Sequence, residues 1–267
     1  MAIGDLHGDA SAFRSTLKLA GLFDESLGGW IGGNAVLVQI GDVLDRGDDE
    51  FELLEFLRRL KSEAKLAGGV VITMLGNHEV LNAAGVSVYA SPRSAQRWQT
   101  RATTDRATAF LAGGELAAEL ATWPVACVVG ETAFCHAGVT LAQARRGLEA
   151  GNREAAAWLL GESGSPLPPE MLWPQSPSSP RSPLWMRDLS SPPMAEPSAA
   201  ACTETARALA QLGAKRLVVG HTVQPGGINA ACRDSIYRID VGLSSAMGGG
   251  APQALEIQRD GTVRVLT

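Results

Sequence analysis

The feature that most constrains the fold is a repeated order in which an apolar, β-branched run is followed at once by a short polar block. All four histidines lie in such blocks, and a further block supplies two carboxylates and an arginine. The blocks are Gly4-Asp5-Leu6-His7-Gly8, Gly41-Asp42-Val43-Leu44-Asp45-Arg46-Gly47, Gly76-Asn77-His78-Glu79, Cys135-His136-Ala137-Gly138 and Gly220-His221-Thr222. Because α/β folds place their chemistry at strand ends, this order predicts one site built from several strand ends.

Length and composition favour one large domain. At 267 residues, of which 45% are hydrophobic, the chain can bury a full core, and we interpret residues 1–267 as a single domain. A net charge of −5 gives no basic surface for a phosphate backbone, so no nucleic-acid partner is expected. No apolar run reaches the roughly 18 residues that a bilayer-spanning helix needs, so no membrane partner is expected either.

The cysteines predict no disulfide framework. Cys127, Cys135, Cys202 and Cys232 form no CxxC pair in a chain of this length, which makes a reducing compartment the default. We interpret Cys135 and Cys232 as small buried residues.

Periodicity predicts strands and helices that alternate in a layered α/β fold. A helix runs from an N-cap at Ser11 to about Leu22, and a second helix follows the block at Gly41. Only three residues precede the first block, so the first strand is expected to be clipped by a missing upstream segment. The predicted strands cover residues 35–40, 70–75, 125–129, 132–135, 216–219, 236–240, 254–258 and 262–266, and further helical segments cover 80–122 and 203–212.

Two stretches have open interpretations. Arg93, Arg97 and Arg101 recur every four residues, so they line one helix face, which is either solvated surface or a docking rim for phosphorylated or acidic substrates. Ten of the fourteen prolines lie within about residues 163–198. We interpret that Pro/Ser-rich stretch as a loop inside the domain, because His221 beyond it must rejoin the site.

The polar blocks contain what a two-metal phosphoesterase requires. Hydrolysis of an unactivated phosphomonoester needs a deprotonated water for direct attack and neutralised phosphoryl oxygens, and two cations about 3.5–4 Å apart supply both. A carboxylate must bridge them, and Asp42 is the natural bridge. The other predicted ligands are Asp5 and His7 on one side of it and Asn77, His136 and His221 on the other. Mixed imidazole, carboxylate and amide ligands suit Mn, Fe or Zn better than Mg or Ca.

The remaining polar residues of the blocks have predicted catalytic roles. His78 follows a ligand in a loop, so its ring can point toward the leaving oxygen and act as the general acid. Asp45 is then expected to hold the other ring nitrogen. Arg46 offers a planar fork for phosphate oxygens, which a lysine does not reproduce.

Each block taken singly has a structural explanation. A Gly-Asp pair is usually a turn, a single histidine is usually a satisfied core residue, and Asp-Arg neighbours often form surface ion pairs. Blocks in this order after successive strands favour the functional interpretation instead. Asp240 stays open between a strand-end turn and support for a ligand histidine.

The blocks that begin at Gly4, Gly41 and Gly76 resemble the phosphoprotein-phosphatase family of calcineurin-like metallophosphoesterases. Leu184-Trp185-Met186-Arg187 and residues 220–242 resemble the Shewanella-like protein phosphatases of bacteria, plants and algae. The resemblance implies a central β-sandwich of mixed sheets flanked by helices, a dinuclear metal centre, phosphorylated protein substrates and the ligand and acid residues named above. It also implies that Arg187 is a second phosphate contact.

The resemblance also bears on location and inhibition. The C-terminal half is most similar to the plastid branch of the family, which implies a chloroplast location, with the cytoplasm as the alternative. The toxin-binding aromatic loop of the eukaryotic serine/threonine enzymes is missing, which implies insensitivity to those toxins. The clipped first strand and the Pro-rich loop depart from the family pattern.

Two other functions remain open at this point. Hydrolysis of dinucleoside polyphosphates uses the same ligands, but it needs a pocket for adenine and extra basic contacts to the polyphosphate. A non-catalytic phosphate-binding module is the third hypothesis. The presence of His78, Asp45 and Arg46 argues against it, because a binding module has no use for a leaving-group acid.

Overall fold

The computed structural model describes residues 1–27, 29–102, 104–173 and 181–267, and within them two mixed five-stranded sheets carry the polar blocks. The first sheet has the order β12 (Val263–Leu266), β11 (Ala254–Ile257), β1 (Ala2–Ile3), β4 (Val36–Gln39) and β5 (Val70–Thr73). The second has the order β6 (Ala126–Val129), β7 (Thr132–Cys135), β8 (Arg216–Val219), β10 (Ile236–Arg238) and β9 (Asn229–Ala231). A separate hairpin pairs β2 (Phe23–Asp24) with β3 (Gly29–Trp30).

Parallel pairing brings the polar blocks to one edge. Strands β1, β4 and β5 run parallel to one another, as do β7, β8 and β10. Since the carboxyl ends of parallel strands share an edge, the blocks that follow these strands converge there. One hydrophobic core joins both sheets to the helices, with fully buried Phe13, Leu37, Leu57 and Val218 among its members. The predicted sandwich of mixed sheets flanked by helices is the fold observed.

The helices cover both outer sides of the sheets. Their bounds are α1 (Ala10–Leu19), α2 (Glu50–Leu66), α3 (Asn77–Ala83), α4 (Pro92–Arg101), α5 (Arg106–Phe110), α6 (Glu115–Leu120), α7 (Leu141–Arg146), α8 (Leu148–Leu159) and α9 (Ala199–Leu212). Short 3₁₀ turns lie at Glu170–Leu172 and Ser245–Met247. No helix among the described residues is both long enough and apolar enough to span a bilayer.

Several predicted boundaries were wrong for local reasons. The segment 80–122 is not one helix but the end of α3 followed by α4, α5 and α6. Gly85 and Gly113 have positive φ there, which ends a right-handed helix. Helix α1 begins at Ala10, because the carboxylate of Asp9, and not Ser11, accepts from the Ala12 backbone N–H at the N-cap. Helices α7 and α8 were not predicted.

The arginine face of α4 lies against α2. Arg101 pairs with Glu52 at 2.7 Å, and Arg97 pairs with Asp49 and with Glu52. Arg93 is 80% exposed. The row is therefore partly solvated surface and partly a set of ion pairs between two helices.

A disulfide between Cys202 in α9 and Cys232 after β9 contradicts the prediction that the chain has none. The two Cα atoms lie 5.4 Å apart although 30 residues separate them in sequence. Spacing rules recognise local cysteine pairs, so they miss a contact that depends on how α9 packs beside β9. Cys127 and Cys135 are free thiols, and burial raises the pKa of each to about 12.

The short first strand and the end of the Pro-rich loop both make contacts with other parts of the fold. Strand β1 is two residues long, yet it pairs with both β4 and β11. Within the predicted Pro-rich loop, residues 174–180 lie outside the described residues. After them, Leu184 is fully buried, and the Pro183 carbonyl accepts from the Ala137 backbone N–H at 2.8 Å, beside the block that carries His136.

Candidate metal centre and active site

The site loops hold residues in an unusual backbone conformation. Five non-glycine residues of the polar blocks have φ between 40° and 70°: His7, Asp42, Asp45, Arg46 and His221. Each such residue costs about 1–3 kcal/mol, so the surrounding contacts must fix these loops. Close approach also demands glycine: a Cβ on Gly76 would collide with the Asp42 carboxylate, and one on Gly220 with Asp5.

Glu79 binds two of these loops together, a role that sequence analysis did not assign. Its carboxylate accepts from the backbone N–H groups of Asp42, Val43, Leu44 and Gly76 at 2.7–3.1 Å. Burial, together with the charge of Asp42, raises the pKa of Glu79 to about 7. The glutamate that ends the Gly76 block could have been recognised by its position in the first turn of α3, where it faces free backbone donors.

The predicted ligands lie together around Asp42. Side-chain atoms of Asp42, His136 and His221 lie within 4.8 Å of one another, and so do those of Asp42, His7 and His78. Asp42 belongs to both groups. Its Oδ2 lies 3.6 Å from His7 Nε2 and 3.3 Å from His136 Nε2.

The other two predicted ligands complete this cluster. Asn77 Oδ1 lies 3.0 Å from His136 Nε2. Asp5 accepts from the His221 backbone N–H at 3.1 Å, so its carboxylate lies beside the same loop. The structure thus brings all six predicted ligands into one buried cluster.

The histidines present nitrogens suited to cations. Nδ1 of His7 lies 3.1 Å from the Leu44 carbonyl, and Nδ1 of His136 lies 3.0 Å from the Ile40 carbonyl, which directs each Nε2 toward Asp42. Burial lowers the pKa of His7 to about 4 and that of His221 well below its ordinary value, so both are neutral near pH 7. His221 Nε2 is buried and has no hydrogen-bond partner among the described residues.

The carboxylates of the cluster also fit cations. Asp5, Asp42 and Asp240 are each no more than 3% exposed. Burial and the charges of Asp240 and Asp42 raise the pKa of Asp5 well above its ordinary value, and burial raises that of Asp240 to about 6. Crowded buried carboxylates are costly unless positive charge neutralises them. The donor set therefore fits divalent cations, which these carboxylates and histidines would hold.

His78 and Asp45 form a close pair at the edge of this cluster. His78 Nδ1 lies 2.6 Å from Asp45 Oδ2, and the His78 backbone N–H donates to Asp42 Oδ1. Burial works to lower the pKa of His78, but the charge of Asp42 and the hydrogen bond and charge of Asp45 outweigh it and raise that pKa. A histidine held this way is suited to carry a proton to a leaving group.

The two predicted phosphate arginines lie on different sides of the cluster. The exposed Arg46 guanidinium lies over the ring of Tyr89, 4.4 Å from its centroid, and Tyr89 is in turn 5.2 Å from the His78 ring. Arg187 donates to the His221 carbonyl and to Thr222 Oγ1. Sequence analysis did not identify Tyr89, since no motif contains it.

Asp240 supports its own turn. Its carboxylate accepts from the Gly242 backbone N–H at 2.9 Å, as an aspartate does in an Asx turn. No described hydrogen bond joins it to a ligand histidine. The strand-end interpretation accounts for its position.

Comparison with known proteins places this site in a family. The calcineurin-like phosphoesterase family matches residues 1–225. Shewanella-like protein phosphatase 2 of Arabidopsis thaliana is 35% identical over 308 residues, which cover 100% of this chain and 77% of that protein. Shewanella-like protein phosphatase 1 of Plasmodium berghei is 31% identical over 255 residues, which cover 94% of this chain and 69% of that one.

A solved structure supports the fold. The cold-active protein-tyrosine phosphatase of a psychrophilic Shewanella species superposes with a TM-score of 0.79 at 23% identity, covering 100% of this chain and 79% of that one. At this identity the likeness concerns the fold alone. On the family match and these two relatives, the chain belongs to the Shewanella-like protein phosphatases within the calcineurin-like phosphoesterase family.

Proposed function

We propose that this phosphatase hydrolyses phosphomonoesters on phosphorylated proteins, with two cations of the Mn, Fe or Zn type held by Asp5, His7, Asp42, Asn77, His136 and His221. The observation that carries the proposal is that Asp42 belongs to two groups of buried side chains, one with His136 and His221 and one with His7 and His78, while Asp45 lies against the Nδ1 atom of His78. When bound, the cations supply a water of lowered pKa and neutralise phosphoryl charge.

The chain's own residues supply the rest of the reaction. Arg46, which lies over Tyr89, and Arg187, which lies beside His221, hold phosphoryl oxygens, and the two-pronged guanidinium fixes their orientation. His78 delivers its proton to the departing alkoxide or phenolate oxygen. Asp45, at His78 Nδ1, holds the ring so that Nε2 faces that oxygen.

A groove beside Arg46 favours protein substrates. It has a volume of about 610 Å³, enough for an extended peptide segment. Among the described residues that line it, Arg46 is the one basic side chain, while Asp9, Asp48 and Asp49 are acidic. A polyphosphate chain would need further basic contacts, so this groove argues against a dinucleoside polyphosphate as the substrate.

The leaving group tests the role of His78. A serine alkoxide is far more basic than a tyrosine phenolate, whose conjugate acid has a pKa of about 10, and nitrophenolate is less basic still. We expect His78→Ala to slow phosphoserine peptides most, phosphotyrosine peptides less and nitrophenyl phosphate least, with metal content unchanged. Equal slowing, or loss of metal, would make His78 a ligand or a scaffold residue.

A substrate panel separates the alternatives. The metal-loaded protein is assayed side by side on phosphopeptides and a dinucleoside tetraphosphate, and metal analysis of the same preparation identifies the ions. Faster turnover of the dinucleotide would favour the second hypothesis, and binding of phosphate without turnover the third. A chloroplast location stays a prediction.

A further inference from the structure

A buried polar network lies behind the His78–Asp45 pair, and no sequence motif indicates it. Arg106, the first residue of α5, donates from Nη2 to Asp45 Oδ1 at 3.1 Å and from Nη1 to Asn82 Oδ1 at 2.6 Å. It also binds both oxygens of Glu50, through Nε at 2.8 Å and Nη2 at 2.7 Å. Asp45 and Glu50 are fully buried, and Arg106 is 6% exposed.

This network leaves the Asp45 carboxylate little freedom to rotate. Oδ2 lies against His78 Nδ1 and also accepts from Asn82 Nδ2 at 3.0 Å, while Oδ1 accepts from Arg106. The Asp45 backbone N–H donates to Glu50 Oε1 at 2.6 Å. Turning the carboxylate away from His78 would therefore leave buried donors without acceptors, which is costly.

The geometry requires an arginine. Glu50 takes the two-pronged contact with the guanidinium, and further N–H groups reach Asp45 and Asn82. A lysine ammonium does not present donors in this planar arrangement. Burial works to lower the pKa of Arg106, but the hydrogen bonds and charges of Glu50 and Asp45 outweigh it and raise that pKa, so the cation stays charged.

The network also connects the acid pair to two neighbouring helices. Arg106 begins α5, and Ser94 of α4 donates to Glu50 at the start of α2. Buried ion pairs stabilise a fold poorly relative to apolar packing of the same volume. A charged cluster at this position is better explained by the side chain that it orients than by stability.

We propose that Arg106 is a positioning residue for phosphoester hydrolysis: held by Glu50 and Asn82, it fixes the Asp45 carboxylate against His78, so that docking of the α4–α5 segment onto α2 assembles the acid pair. This inference rests on the proposed function, because it assigns Arg106 a role only through His78.

The test compares Arg106→Gln with Arg101→Gln. Like Arg106, Arg101 pairs with a glutamate of α2, but it lies in α4 and has no contact with Asp45 among the hydrogen bonds and ion pairs of the described residues. Turnover of a phosphoserine peptide and of nitrophenyl phosphate, metal content and melting temperature are measured on the metal-loaded proteins. We expect R106Q to keep its metals and to lose at least about tenfold more activity on the peptide than on nitrophenyl phosphate, since an acid matters most for a poor leaving group. R101Q should show no such difference. Equal slowing of both substrates by R106Q, or loss of metal, would make Arg106 a scaffold residue and overturn the inference.

A double variant separates this inference from the proposed function. In a His78→Ala background, R106Q should add no further loss on the phosphoserine peptide, because both changes act on one proton transfer. If the losses of the two single variants added up in the double variant, the inference about Arg106 would be overturned, but the proposed function would not. If His78→Ala by itself showed no dependence on the leaving group, the acid assignment in the proposed function would be wrong.

A second variant applies where R106Q does not fold. Glu50→Gln keeps the shape of the side chain but removes the charge that holds the guanidinium. We expect E50Q to show the same selective loss by a smaller factor, and equal or absent effects on the two substrates would overturn the inference.

Discussion

At the residue scale, the site depends on a few side chains that are held in place by an unfavourable backbone conformation with positive φ. Asp42 has positive φ, accepts from the His78 backbone N–H and lies between the two histidine groups. Glu79 offsets that cost by accepting four backbone N–H groups from the loops around Asp42. The chemistry of one carboxylate thus depends on a neighbour that contacts only the backbone.

Asp42→Asn tests the proposed bridge. The amide keeps the size of the side chain but removes the negative charge shared by the two groups, so we expect the metal content to fall to one ion per chain or fewer, with activity lost in parallel. Elemental analysis and phosphopeptide turnover measure this. Asp260→Asn is the matched control, because Asp260 lies in the turn between β11 and β12, belongs to neither group and does not line the groove. Two ions per chain with normal turnover in D42N would contradict the ligand assignment.

Arg46→Lys tests the phosphate contact. The substitution keeps the charge but loses the planar fork and its stacking on Tyr89. A charged, two-pronged contact is worth about 1.5–3 kcal/mol, so we expect kcat/KM on phosphopeptides to fall by about tenfold or more. Arg93→Lys, at a side chain 80% exposed, is the control. Unchanged kinetics in R46K would assign Arg46 a structural role.

At the element scale, each functional block follows a strand, and the connections between elements decide how the blocks meet. Two sets of three parallel strands, β1–β4–β5 and β7–β8–β10, bring the blocks to one edge. Helix α5 contacts Asp45 through Arg106. The disulfide joins α9 to the turn between β9 and β10. Strand β10 leads in turn to Asp240.

Removal of the disulfide should lower stability more than activity. Cys202→Ala with Cys232→Ala opens a loop of 30 residues, and loop-closure entropy predicts a loss of about 3–4 kcal/mol in the free energy of unfolding. Urea unfolding without reductant measures this, with Cys127→Ala, a free thiol, as control. An unchanged midpoint, with four titratable thiols in the unaltered chain after unfolding, would show that the bond does not form.

At the scale of the whole molecule, the two sheets share one core, and the cluster of buried carboxylates and histidines lies at the edge where the sheets meet. The proposed ligands follow strands of both sheets: Asp5, His7, Asp42 and Asn77 come after strands of the first sheet, and His136 and His221 come after strands of the second. Cations bound there would link the sheets as well as prepare the reaction.

Chelation should therefore destabilise the whole fold. When the free ion concentration is about a hundred times the Kd, binding adds about 2.7 kcal/mol to the free energy of unfolding. Removal of the ions should therefore lower the Tm by on the order of 5 °C or more, and readdition should restore it. Calorimetry with and without chelator measures the change, and D42N should respond much less. Identical Tm values for stripped and reloaded protein would exclude a structural contribution from the ions.

The sequence by itself determined most strands of the two large sheets, the polar blocks and the residues that form the cluster, because the period of apolar residues and the strand-end blocks are local properties of the chain. The short strands β2, β3 and β9 were not predicted. The histidines and Asp42 were identified as candidate site residues from the few residues next to them in sequence. The breaks within residues 80–122 were not predicted. A glycine such as Gly85 is also tolerated inside a helix, and the sequence does not show that its φ is positive here.

Only the tertiary structure decided which distant residues support the site. Arg106 lies 61 residues beyond Asp45, Glu79 faces backbone donors from another loop, and Cys202 meets Cys232 across 30 residues. The contacts of Arg106 and of the two cysteines have no local pattern, because each exists only after the sheets and helices have packed. The position of Glu79 in the first turn of α3 is a local signal, but its donors at Asp42, Val43 and Leu44 are not local. The physical reason is that periodicity and motif spacing report the conformation of neighbouring residues, whereas hydrogen bonds and disulfides between distant segments depend on how those segments are brought together.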